Sequence, residues 1–323
     1  MEQVSAILRQ RGQSALETSK RAILKERINH QPLQEALYYF IDEVWPKILH
    51  PGLLSIYCEA VGGDPKETMQ VGAAMVLLVG AADLHDDIID QSKVKNFKPT
   101  VFGKFGKDIA ILAGDALLIE GMYLLHSALE GFPKNKRTEI LELVKQAFFD
   151  LSSAEADEAV FRGSIDLPGE QYLEIIKKKV AVAEATAKIG AILGDGTVEQ
   201  VETLADYGRT LGLLLTIRDE FIDVFESDEL VNRARNEILP LPVLYAFQDP
   251  TKKDVILQLL KGRKLTSEKT DKIVDIVTDA NETQELKREM KRLVQRGLRN
   301  ASSLEVCGKM LELLLESTVE DLL

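Results

Sequence analysis

Val71-Gly72-Ala73-Ala74-Met75-Val76-Leu77-Leu78-Val79-Gly80-Ala81-Ala82, running straight into Asp83-Leu84-His85-Asp86-Asp87-Ile88-Ile89-Asp90, is the stretch that decides how this chain folds. Its apolar part is well short of the ~20 residues that a membrane span needs, and it ends in carboxylates. It therefore reads as a core helix with an acidic end. Successive residues of a helix turn by about 100°, so Asp86, Asp87 and Asp90 fall within one turn and point the same way. Three carboxylates on one face repel each other, which a fold tolerates if the face is solvated or if it holds a multivalent cation.

The same design recurs downstream. Leu211 to Ile217 is largely apolar, and Asp219, Glu220 and Asp223 follow at the same offsets. Either set alone is as readily a solvated helix end as a site. Two copies, each after an apolar helical run, favour the cation. Oxygen donors without a companion His or Cys suit a hard ion, magnesium above all, bound together with phosphate oxygens; manganese is the alternative.

Outside these sets the apolar period is helical nearly throughout. Ile109, Leu112, Ala116, Ile119, Met122 and Tyr123 recur at three and four, as do Leu141, Val144, Phe148 and Leu151. No run alternates in the manner of a strand. Breakers such as Gly62-Gly63-Asp64-Pro65, Gly131-Phe132-Pro133 and Gln248-Asp249-Pro250 separate the helices, and no linker or low-complexity tract divides the chain. The fold expected is all-α, a single large helical domain over residues 1–323. Residues 250–323, richer in Lys and Glu, are candidates for a peripheral helical subdomain.

Composition sets limits on partners. An apolar share of 45% and a charged share of 28% are those of an ordinary globular protein. A net charge of -12 argues against a nucleic-acid or anionic-membrane partner. Cys58 and Cys307 stand in apolar contexts and read as inert buried thiols, which fits a reducing cytoplasm; no signal-peptide pattern opens the chain.

The ordered motifs from Gln31 to Phe247 resemble those of the trans-prenyltransferases, the isoprenyl diphosphate synthases of farnesyl and geranylgeranyl type. His85 to Asp90 is similar to the family's first aspartate-rich motif and Lys98-Pro99-Thr100 to its trailing segment. Leu112-Ala113-Gly114-Asp115-Ala116-Leu117-Leu118 resembles the helix that follows. Tyr172 to Ile176, ending in Lys179, resembles the stretch with a phosphate-binding lysine. Asp219 to Asp223 stands where the second motif belongs, and Leu241-Pro242-Val243-Leu244 resembles the segment beyond it.

The resemblance implies a helical bundle around a central cavity, with both acidic motifs facing each other at its mouth. Asp86, Asp87, Asp90, Asp219, Glu220 and Asp223 would hold two or three magnesium ions. Asp86, Asp87, Asp90, Asp219 and Lys179 would carry the ionisation of an allylic diphosphate, whose cation isopentenyl diphosphate then attacks. Lys47, His50, Lys95 and Lys179 would contact substrate diphosphates. Read without the family, Lys179 is one more solvated lysine of Lys177-Lys178-Lys179. The small Ala81 and Ala82 would line the elongation cavity and leave room for a product of C15–C20 or longer, with Asp83 facing away from it. The family also implies a homodimer.

Departures cluster on one side. Lys95-Asn96 replaces paired arginines, keeping one charge; the losses, Asn96, His50 for an arginine and Val79 for a histidine, lie on the isopentenyl diphosphate side, whereas Lys95, Lys179 and the carboxylates are the allylic and magnesium side. Leu215-Thr216 precedes the second motif, Glu220 replaces an aspartate and Val180 a threonine. The loop after Asp223 is short, its usual lysine replaced near Ile238, with Arg233 or Arg235 as substitutes. Two alternatives to chain elongation follow: a same-scaffold enzyme using another acceptor, water or cyclisation, and a regulatory subunit of a prenyltransferase.

Overall fold

The computed structural model describes residues 2–45, 48–95, 97–262 and 265–322. Its helices are α1 (Glu2–Lys25), α2 (Gln31–Tyr39), α3 (Leu49–Ala60), α4 (Met69–Ile89), α5 (Val101–Phe105), α6 (Lys107–Leu129), α7 (Lys134–Phe161) and α8 (Gly169–Lys179). They continue with α9 (Ala181–Leu193), α10 (Val198–Phe225), α11 (Ser227–Asn236), α12 (Leu241–Ala246), α13 (Pro250–Leu259), α14 (Ser267–Thr278), α15 (Asn281–Ser302) and α16 (Gly308–Val319). The one sheet among the described residues is a ribbon of two-residue strands, β1 (Val94–Lys95) and β2 (Lys98–Pro99), paired Val94 to Pro99 and Lys95 to Lys98. The all-helical expectation holds.

Helix ends follow local chemistry. Asp249 accepts from Thr251 N at 2.9 Å ahead of Pro250, the residue that opens α13. Thr100 caps α5 by accepting from Gly103 N at 3.0 Å. Pro65 starts a 3₁₀ turn capped by Asp64, which accepts from Lys66 N at 2.9 Å.

The chain divides into two compact units. The first comprises residues 1–144, 185–204 and 304–307. Its centre is α4, buried along nearly its whole length from Val71 to Leu84 and packed on α1, α3 and, most extensively, α6. Gly114 of α6 leaves room for the His85 ring of α4: a β-carbon there would lie 2.4 Å from His85 Nε2. Phe40 and Trp45 stack at 5.4 Å and close the core above Gly80, with Trp45 Nε1 donating to Val76 O at 3.3 Å. By length and composition α6 alone among the described helices could cross a membrane; it is packed against α4 along one side.

The second unit comprises residues 145–184, 205–303 and 308–323. Here α12 packs on α8, α14 and α15, and α15 packs on α16. Tyr207, fully buried on α10, donates to Leu311 O at 2.7 Å. Arg296 and Asn300 of α15 both donate to Asp206 of α10, at 2.8 Å to Oδ2 in each case. Residues 250–303 and 308–323 share this unit with α8 and most of α10, and residues 304–307 belong to the first.

Candidate active site

The first acidic turn closes α4, and its backbone geometry is a complete Schellman ending. Ser92 N donates to Asp87 O at 2.8 Å and Gln91 N to Ile88 O at 3.4 Å, with Gln91 left-handed at φ 60°. The chain then turns into the β ribbon. Thr100, buried, donates to Ser92 O at 2.7 Å, and its N donates to Lys93 O at 3.0 Å, so the ribbon is fastened where it leaves and where it returns. Lys95 is thereby laid across the acidic face. Its Nζ stands 2.7 Å from Asp87 Oδ1, 3.7 Å from Asp86 Oδ2 and 4.0 Å from Asp83 Oδ1.

Charge on this face is crowded. Burial pushes the Asp87 carboxyl up to about 6; Lys95 pulls against it, while Asp83 and Asp86 add to the rise. Burial alone would lower Lys95, but Asp83, Asp87 and Asp86 together hold it above its ordinary range. Asp83 thus joins the acidic turn. The sequence reading took it only as facing away from a cavity. His85, next in line, has Nε2 3.4 Å from Asp115 Oδ1 on α6.

The second acidic turn closes α10, and its three carboxylates part ways. Asp219 is exposed, its side chain 70% accessible, with Arg218 Nη1 3.6 Å away. Glu220 is buried, and both its oxygens are taken from inside. Tyr172 donates to Oε1 at 3.0 Å, Leu241 N to Oε2 at 2.7 Å, and Arg233 Nη2 to both at 3.0 Å. Asp223 accepts from Arg233 Nη1 at 2.7 Å. Burial pushes Asp223 up to about 7; Arg233 opposes this, and Glu220, Glu229 and Asp219 reinforce it.

Two expectations change here. Glu220, expected among the metal ligands, takes four hydrogen bonds from three internal donors, Tyr172, Leu241 and Arg233, and so anchors the end of α10. The segment read as a short loop after Asp223 is a helix, α11, entered through the single residue Glu226. Of the two substitute cations, Arg233 turns inward to the acidic set, also donating to Ile238 O at 2.7 Å, and Arg235 turns to Gly262 O.

Lys179 ends α8 and pairs with Glu158 Oε2 at 2.6 Å and Glu155 Oε1 at 3.1 Å, both on α7. It is more firmly held than a solvated lysine. Neighbouring Lys177 and Lys178 take Glu174 and Asp157. His50 Nδ1 lies 3.1 Å from Thr186 Oγ1 in the first unit. Lys47 and Asn96 lie outside the described residues. Ala81 is fully buried in the α4 core cluster, whereas Ala82 and Val79 are half-buried.

Among the described residues no three His, Cys, Asp or Glu side chains close around a metal by themselves. A hard cation that keeps waters and takes phosphate oxygens needs no such cage. Oxygen-only donors at Asp86, Asp87 and Asp90, with burial and mutual repulsion raising Asp87, suit a divalent cation. In the second set, Asp219 is the accessible donor. Glu155 and Glu158 escaped sequence reading, as did the ion pairs of Asp83 and Arg233; for Asp83 the signal was present, one helical turn before Asp86-Asp87.

Comparison with known proteins agrees with the helical fold. Residues 30–277 match the family model described as polyprenyl synthetase. A short chain isoprenyl diphosphate synthase of Methanothermobacter thermautotrophicus is 32% identical over 72% of this chain and 70% of its own length. A geranylgeranyl diphosphate synthase of Sulfolobus acidocaldarius is 28% identical over 76% of each. In fold, the crystal structure of geranylgeranyl pyrophosphate synthetase from Pyrococcus horikoshii superposes with a TM-score of 0.86, at 24% identity, over 99% of this chain and 98% of that one. Motif order, helical fold and these likenesses have one reading: the chain belongs to the polyprenyl synthetase family.

Proposed function

We propose that this protein is a trans-prenyltransferase that condenses an allylic diphosphate with isopentenyl diphosphate into a product of C15–C20 or longer. The observation that carries it is the end of α4, where Asp86, Asp87 and Asp90 share one turn and Lys95 stands over them at 2.7 Å from Asp87. Asp86, Asp87, Asp90 and Asp219 would hold magnesium, two or three ions in all. Bound magnesium supplies positive charge that offsets the charge developing on a departing diphosphate. Lys95 and Lys179 bring ammonium groups, each paired with carboxylates, and each would exchange those carboxylates for phosphate oxygens. Glu220 and Arg233 keep the end of α10 fixed, so that Asp219 is presented on a rigid helix.

A homodimer is part of the proposal, and what supports it is α6. Leu112, Ile119, Met122 and Tyr123 form an exposed apolar stripe on that helix. Light scattering checks it, with Ile119→Glu expected to give a monomer.

One experiment tests the activity. Dimethylallyl, geranyl, farnesyl and geranylgeranyl diphosphates are each supplied with magnesium, with and without isopentenyl diphosphate, and products are separated by chain length. Elongation only with isopentenyl diphosphate is expected. Turnover without it would replace chain elongation by capture of the allylic cation by water, by another acceptor or by cyclisation. That second reading draws on His50, whose ring is engaged with Thr186 where the family carries an arginine.

A further inference from the structure

Lys95 has three acidic neighbours, and they are not equivalent. Asp87 is nearest and buried, Asp86 is next, and Asp83 lies one helical turn back toward the apolar body of α4. The backbone that carries Lys95 is held by the Thr100 bonds to Ser92 O and Lys93 O, and by Lys98 Nζ donating to Glu43 O at 3.2 Å. The Lys95 side chain, 39% exposed, is then the part with the most freedom to respond to a ligand. A divalent cation outcompetes an ammonium for carboxylate oxygens, because it carries twice the charge on a smaller ion. Once Asp86 and Asp87 turn to such a cation, Lys95 keeps one acidic neighbour of its three.

We propose that Asp83 is a positioning residue for Lys95: it retains the ammonium beside the acidic turn when a divalent cation claims Asp86 and Asp87, so that Lys95 meets the incoming diphosphate. This rests on the magnesium–diphosphate reading of the same turn. Without Asp83 the side chain, already 39% exposed, swings to water, and the diphosphate loses a preplaced cation. Simple charge counting predicts the opposite sign, since deleting a carboxylate near a polyanion should tighten its binding.

The test is calorimetric titration with inorganic diphosphate at saturating magnesium, using wild type, Asp83→Asn, Asp83→Glu, Lys95→Met and the Asp83→Asn/Lys95→Met double variant. Circular dichroism and thermal melts confirm that each variant folds. Asp83→Asn should weaken diphosphate binding about five- to tenfold, the size of one charge-assisted contact in a partly shielded site. Asp83→Glu should recover most of that loss, and Asp83→Asn should change nothing further in the Lys95→Met background. Unchanged or tighter binding in Asp83→Asn overturns the proposal, and so does an equal loss with and without Lys95. Absence of magnesium-dependent diphosphate binding in wild type would instead remove the reading of the acidic turn, and the proposal with it.

Discussion

Arg233 Nη1 donates to Asp223 Oδ2 at 2.7 Å while Nη2 of the same guanidinium reaches both oxygens of Glu220 at 3.0 Å. The guanidinium is buried, and its Nε takes Ile238 O at 2.7 Å with Glu237 3.3 Å away. Its neighbours come from α8, α10 and the segment before α12. Removing one partner of a buried pair leaves the other charged without solvent, which costs more than the pair itself contributes. Arg233→Met should therefore destabilise the protein by about 3–5 kcal/mol in chemical unfolding. Arg233→Lys should recover only part, because an ammonium cannot reach Glu220 and Asp223 together in the forked geometry.

Two carboxylates give the protein a pH dependence of defined sign. Asp87 is raised to about 6 and Asp223 to about 7, chiefly by burial. The folded chain thus binds these protons more tightly than the unfolded one, whose aspartates titrate at about 4. Their contribution is fully present below about pH 4 and is lost as pH climbs through 6 and 7. Asp206 acts the other way: burial raises it, but hydrogen bonds from Arg296 and Asn300 prevail and hold it low. Asp223→Asn should flatten the fall of melting temperature between pH 5 and 8 relative to wild type. Magnesium binds the deprotonated carboxylates, so its stabilising effect should grow over the same interval.

Gln91 stands left-handed in the Schellman ending of α4. A residue with a β-carbon loses about 1–2 kcal/mol there relative to glycine. Its Nε2 donates to Ile88 O at 2.7 Å and offsets part of that strain. Gln91→Gly should raise stability by roughly 1 kcal/mol, seen as a melting temperature about 2 °C higher.

The two alanines expected to line a chain cavity should respond differently to enlargement. Ala81 is enclosed by the α4 core, so Ala81→Phe should overpack it and cost about 1–3 kcal/mol or more. Ala82 is half-buried, so Ala82→Phe should leave the melting temperature nearly unchanged and act instead on product length, toward shorter chains. Thermal unfolding paired with product chromatography separates the two effects.

Much of this was legible in the sequence, for identifiable reasons. The apolar run from Val71 became α4 because it is longer than a buried strand, and Asp86 and Asp87 fall where that helix ends. What the sequence withheld depends on contacts across many positions. Lys95 reaches the acidic face only because Thr100 and Ser92 fasten the ribbon. Glu220 carries the same letters and spacing as a metal ligand, yet Tyr172, 48 positions earlier, and Leu241, 21 later, turn it inward. Arg233 sits in a segment that the family resemblance marks as a short loop, and its direction is set by carboxylates on another helix. A motif fixes which groups are near in the chain; burial decides which of them face a ligand.

Both acidic turns lie at the carboxyl end of their helices, α4 and α10. Peptide dipoles align along a helix to leave about half a negative charge at that end, where cations are stabilised and anions are not. Aspartates therefore stand toward the unfavourable pole in each case, adding their charge to that of the aligned peptide dipoles. Each pole becomes a focus of negative potential built from backbone as well as side chain, and mutating any single carboxylate leaves the backbone share in place. Charge-neutral variants at Asp86 or Asp219 should consequently retain weak attraction for divalent cations, a residue of the field that only the helix itself can supply.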